Sequence, residues 1–292
     1  MRAHGLKSRL LTLEDYQALI HNEKKLSDFR DYIFIKDNDT LETKLEKIYR
    51  VYVSRIETLS KADRQIGAFI QALLDRLEIE NIKIHLRYLL GAKRPVIYYP
   101  YGHHIGPAKL SSIKTEGTLW EEISRTEYRA PPIPDFVTSL EAERELLLDI
   151  LYYNYLSLTI QSISVSKETQ AELLRCIEKE LELKGMLWSR TLSLEIITRL
   201  ASKYSPNLRF KISPPPEQWK GLKTTELMRQ IEISLLEMLK EKVAVKYSLE
   251  IPFIYYYNAL ALLEANNLEK ILLGKEIGIP EEVILRTIIS LS

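Results

Sequence analysis

Apolar residues recur at three- and four-residue steps along most of the chain. Leu41, Leu45, Ile48, Tyr49, Tyr52, Ile56 and Leu59 make one stripe, and Ile66, Phe69, Ile70, Leu73, Leu74 and Leu77 make a second. That spacing returns side chains to one face of an α-helix. Strict alternation, the mark of a half-buried strand, is scarce. Its best local instance is Pro-Val-Ile-Tyr-Tyr-Pro at 95–100, which is short and bounded by prolines. The pattern predicts an all-α chain. Residues 146–165, LLLDILYYNYLSLTIQSISV, are long enough to cross a bilayer, yet Asp149, Asn154 and Gln161 fall inside them. A charge at bilayer depth costs about 2.5–3.5 kcal/mol even on a lenient scale. A buried helix of a water-soluble fold is expected there.

Prolines and glycines break the helical texture in two main places, KRPVIYYPYGHHIGPAKL at 93–110 and KYSPNLRFKISPPPEQWKGL at 203–222. Both favour loops or extended connections. A third cluster, PPIP at 131–134, precedes SLEAERELLLDILYY, where Ser139 is the expected N-cap and Glu141, Glu143 and Glu145 face the positive helix end. Cutting at the two main breaks gives three helical domains, 1–97, 98–207 and 208–292.

One short phrase is written twice. Glu78 precedes Asn81 by three residues and Glu264 precedes Asn267 by three. An apolar residue follows each Asn (Ile82, Leu268), then further apolar positions, then a glycine (Gly91, Gly274). The two copies lie 186 positions apart, twice 93, so a third is expected near residue 174. The stretch there, AELLRCIEKELELKGMLWSRTL at 171–192, has Glu180, Glu182 and Gly185 but no Asn. A second echo, Tyr-Asn-x-Leu-x-Leu at Tyr153–Leu158 and Tyr257–Leu262, is offset by 104. The reading is three similar helical units. Leu249 to Gly274 reads as one long helix with Gly274 as its stop, followed by a turn at Gly278 and a new helix opening at Pro280 with Glu281 and Glu282. Asn266 and Asn267 sit mid-helix, where Asn is unfavourable unless it is solvated or bonds a neighbouring segment.

Composition narrows the function. Lys plus Arg total 41 and Asp plus Glu 40, so no net field favours nucleic acid. The one cysteine, Cys176, rules out an intramolecular disulfide and a cysteine zinc cage, and fits a reducing compartment. The opening MRAHGLKSRLL has no apolar signal region. Five histidines occur: His4, His21, His85, His103 and His104. Adjacent histidines rarely chelate one ion well and no carboxylate or Cys stands at useful spacing, so His103-His104 reads as a solvated loop and no metal is expected. His85 reads as packed or partly exposed. Gly-Leu-Lys-Thr-Thr at 221–225 lacks the phosphate-loop spacing, and Gly274-Lys275-Glu276 lacks the following Ser or Thr. No nucleophile-elbow, dinucleotide or metalloprotease motif occurs. No catalytic, cofactor-binding or metal residue is therefore assigned, and no cofactor. Three tyrosines in a row at 255–257, and Tyr152, Tyr153 and Tyr155, cannot all face one core. At least one of each set is expected to meet solvent, another domain or a partner.

RAHGLKSRLLTLEDYQALI (2–20), ENIKIHLRYLLG (80–91) and NNLEKILLGKEIGIPEEVI (266–284) resemble the C subunit of archaeal-type ATP synthases, a family related to the d subunit of vacuolar ATPases. The stretches that carry the resemblance are Leu6-Lys7-Ser8-Arg9-Leu10-Leu11 with Glu14-Asp15-Tyr16, and the Asn-Leu…Ile-Leu-x-Gly-Lys elbow at 267–275. Leu273 stands where the family often carries Arg, while the first copy keeps Arg87. The resemblance implies a funnel of three similar helical domains in pseudo-threefold arrangement. It implies a non-catalytic central-stalk rotor subunit, a socket between the shaft subunits and the membrane proteolipid ring. Such a subunit transmits torque for ion translocation and is peripheral on the cytoplasmic side of the cell membrane. The alternative is a helical adaptor or scaffold with other partners.

Overall fold

In the computed structural model, residues 2–61, 66–93, 96–209, 213, 215–248 and 250–290 are described. They form α1 (Arg2–Lys7), α2 (Leu13–Ile20), α3 (Leu41–Ser60), α4 (Gly67–Leu89), α5 (Pro107–Ser112), α6 (Glu116–Ser124), α7 (Glu141–Ser162), α8 (Lys167–Trp188), α9 (Leu194–Tyr204), α10 (Thr224–Leu239), α11 (Ile251–Glu276) and α12 (Glu281–Thr287). No strand occurs among the described residues. Helix starts follow side-chain chemistry. Thr12, Thr40, Thr115, Ser166 and Ser193 each accept a hydrogen bond from the backbone N–H three residues on, and Asp15 returns the bond at Thr12.

The chain divides into two compact units, residues 1–64 with 232–292, and residues 65–231. The cuts fall at 64/65 and 231/232, not at the proline-rich breaks. In the first unit α11 packs against α3, α1, α2 and α12. Its buried residues are not confined to one stripe. Tyr255, Tyr256 and Tyr257 are all buried, so of the three contacts expected for them, solvent, another domain or a partner, the first does not occur. In the second unit α7 packs against α4, α8 and α9, and α4 also carries α5 and α6. The 146–165 stretch lies largely in α7, with Asp149 bonded to Lys83 at 2.6 Å, and Tyr152, Tyr153 and Tyr155 are buried there too. Among the described residues no helix is long and apolar enough to cross a membrane.

Three local expectations change. Leu140, not Ser139, precedes the first turn of α7 and makes no side-chain cap. Glu143 takes over: wholly buried, it accepts the N–H groups of Val137 (3.0 Å) and Thr138 (2.7 Å), the Thr138 hydroxyl, and Arg199 at 2.8 Å. Gly274 lies inside α11, which runs on to Glu276, and the left-handed turn falls at Gly278 (φ 72°). A Cβ at Gly274 would stand 2.8 Å from Ile284 on α12, so the glycine permits close helix packing. Pro280 flanks α12, whose first helical residue is Glu281. By contrast, Gly91 does end α4 in the left-handed region (φ 95°). Pro95 lies outside the described residues, and 96–99 form no strand.

Candidate functional site

The repeated phrase builds the same device in each unit. In the second unit, Asn81 is fully buried on α4 and faces the irregular segment 98–101, which turns at Pro100 with Tyr101 N–H donating to Tyr99 O at 2.8 Å. Its amide donates to the carbonyls of Tyr99 and Tyr101, both at 3.0 Å, and accepts the Tyr99 N–H at 2.7 Å. In the first unit, Asn267 donates to Ile289 O at 2.8 Å and accepts Ile289 N–H at 3.3 Å. Each mid-helix Asn thus ties the backbone of an irregular segment to its helix, supplying partners that regular secondary structure does not.

The glutamates repeat as well. Glu78 accepts the backbone N–H groups of His103 and His104 (2.8 Å for the latter) and the Tyr128 hydroxyl at 3.0 Å. Glu264 accepts Leu11 N–H at 2.5 Å and the Tyr32 hydroxyl at 2.5 Å. In both units the bound loop leads into a short helix, α5 or α2, and a tyrosine beyond it returns to the same carboxylate. In both, a tyrosine of the facing long helix reaches a polar residue earlier on the glutamate's helix. Tyr155 on α7 donates to Asp75 at 2.9 Å, and Tyr52 on α3 donates to Asn258 at 2.8 Å. The middle stretch does not repeat this. Glu180 is buried but accepts from Arg76, and Leu183 stands three residues on.

The two anchors differ in charge. Glu264 also accepts Arg55 Nη1 at 2.5 Å, and Arg55 Nη2 pairs with Asp31 at 2.9 Å. A cleft of about 770 Å³ opens beside this pair, with Arg9, Asp31, Arg50 and Arg55 among its walls. Its charges are matched within the chain, since Arg50 pairs with Glu46 and Arg9 with Asp31. Around Glu78 no Lys or Arg pairs with either buried carboxylate among the described residues. The basic side chain set against them is His103, facing Asp75. Asp75, fully buried, accepts Tyr101 Oη (2.8 Å) and Tyr155 Oη, and faces His103 Nδ1 at 3.3 Å. Burial raises the Asp75 carboxyl above its ordinary range, against the lowering pull of Tyr101 and His103.

His103-His104 is therefore not simply a solvated loop. His104 is half-buried, its Nε2 is enclosed without a hydrogen-bond partner, and the edges of Tyr128 and Tyr155 meet its ring. The carboxylate that sequence spacing did not supply comes from α4, 28 residues before His103. His85 is buried and bonded to Tyr98 and Ile113 O, as a packed histidine would be. No protein-family model, curated protein or solved structure matches the chain.

Proposed function

We propose that the chain is a non-catalytic central-stalk subunit of a rotary A/V-type ATP synthase or ATPase. It would act as a socket that couples the shaft to the proteolipid ring on the cytoplasmic side of the cell membrane. The observation that carries this reading is that the two stretches bearing the resemblance, from opposite ends of the sequence, meet. Leu11 N–H bonds Glu264, and Lys275 Nζ donates to Leu19 O and Asn22 Oδ1, each at 2.6 Å. A second support is the reuse of one anchor at Glu78/Asn81 and Glu264/Asn267, which suits a chain built from kindred lobes. This reading keeps lobes 1–97, 98–207 and 208–292 in pseudo-threefold arrangement as part of the proposal, with the first and last sharing one compact unit through residues 1–64 and 232–292. The anchoring carboxylates accept hydrogen bonds from the chain's own backbone and tyrosines, a use suited to rigidity and not to turnover. Attachment to the membrane would run through the partners.

The test is direct binding. The purified chain is presented to the isolated shaft subunits and to the detergent-solubilised proteolipid ring. Stoichiometric complexes with both support the reading. Binding to neither refutes it and favours an adaptor with other partners.

A further inference from the structure

We propose a divalent transition-metal site of the zinc class at Asp75, His103 and His104. A carboxylate oxygen of Asp75 and one ring nitrogen of each histidine lie within 4.8 Å of one another. One carboxylate and two imidazoles are a donor set that suits zinc, cobalt or nickel, with a remaining position open to water or another ligand. A tetrahedral ion with bonds of about 2.1 Å needs ligand atoms ~3.4 Å apart; Asp75 Oδ2 and His103 Nδ1, at 3.3 Å, already stand so, and the wider spacings in the set, up to 4.8 Å, must close. His103, with 32% of its side chain exposed, has room to turn.

Three features favour an ion over an accidental cluster. The first is charge. The matching anchor of the other unit places the Arg55 guanidinium against Glu264, whereas Asp75 and Glu78 are both buried with no described Lys or Arg against them. Burying carboxylates without a cation is costly, and a bound ion removes that cost. The second is the enclosed, unpartnered His104 Nε2, since buried ring nitrogens normally find a partner. The third is support behind the ligands. Glu78 holds the backbone N–H of both histidines, and Tyr101 and Tyr155 hold the Asp75 carboxylate, the outer-layer pattern that orients metal ligands. The histidine loop is also closed tightly, because a Cβ at Gly102 would come within 2.3 Å of Gly106 Cα.

The experiment is zinc and cobalt(II) titration of the purified full chain, with bound metal counted after dialysis and thermal unfolding recorded with and without zinc. Expected are one ion per chain, a higher melting temperature with zinc, and a loss of affinity of about 100-fold or more in His103→Ala and in His104→Ala. Both substitutions fall on a loop, so circular dichroism should show the fold retained. Asp75→Asn carries more risk to folding and is secondary. A Cys176→Ser control should bind as the parent does. Substoichiometric binding at zinc concentrations that leave the fold intact overturns the proposal. So does an affinity unchanged by both histidine substitutions.

Discussion

Replacing Asn81 by Asp changes one atom's chemistry and leaves the shape almost intact. The amide makes three hydrogen bonds to the 98–101 segment, two donated and one accepted, from a fully buried position. An aspartate keeps the acceptor for Tyr99 N–H but turns an oxygen toward the carbonyls of Tyr99 and Tyr101. Ionised, it is a buried charge one turn from Glu78 with no described cation beside it; protonated, it can donate to only one carbonyl. Losing one partner of a buried bond costs about 1–3 kcal/mol per orphaned group, and Tyr99 and Tyr101 are only half-buried, so the lower end applies. Tyr99 O keeps the Tyr101 N–H at 2.8 Å, so two groups lose their partner; Asn81→Ala should then cost about 2 kcal/mol, and Asn81→Asp about 3–5 kcal/mol at neutral pH. The folded-state pKa of the new carboxyl is raised, so the Asp variant should regain stability as pH falls toward that value, and the Ala variant should not. Native-state hydrogen exchange at the Tyr99 amide reads this directly, with a fall of about 30-fold in protection expected for Ala, since 1.4 kcal/mol is a factor of ten. Wild-type protection of the Tyr99 amide in the Ala variant would refute the clamp.

Further outcomes follow from the same packing. Arg55→Met leaves Glu264 a buried carboxylate without its guanidinium and should cost about 3–5 kcal/mol in urea unfolding; adding Glu264→Gln should recover part of it. Gly274→Ala drives a Cβ into Ile284 Cγ1 and Cδ1 and should cost about 1–3 kcal/mol, less any helix-propensity gain; in an Ile284→Ala background, which removes both atoms, differential scanning calorimetry should show that added cost gone. Burial pushes the Glu143 carboxyl upward, but the Val137 and Thr138 donors and Arg199 outweigh it and hold it below its ordinary 4.5. Its contribution is therefore present above pH about 4.5 and is lost as pH falls through the folded value, so Glu143→Gln should lower stability at pH 7 and flatten the acid limb of a pH–stability profile.

Helix content was legible because the stripes at 41–59 and 66–77 repeat at helical spacing, and nearly all of those residues are buried. The doubled Glu-x-x-Asn phrase was visible as a spacing, but its partners were not. Tyr99, Ile289, Leu11 and His103 are reached through space, and nothing local marks them. Gly274 looked like a stop because a glycine after an apolar run fits a C-cap; only Ile284 on another helix explains it. The tyrosine triplet at 255–257 can be buried throughout because the buried positions of α11 are not confined to one stripe, although Leu262, Asn266, Glu269 and Leu273 leave one face partly exposed. His103 and His104 lacked a carboxylate in sequence and gained Asp75 through the fold.

The account stands or falls on coupling. A rotary ATPase of the proposed class, assembled with and without this chain, should be assayed for ATP-driven ion transport across sealed vesicles alongside ATP hydrolysis. The account predicts hydrolysis in both preparations and transport only when the chain is present. Equal transport without it, or failure of the chain to restore transport, would contradict the account.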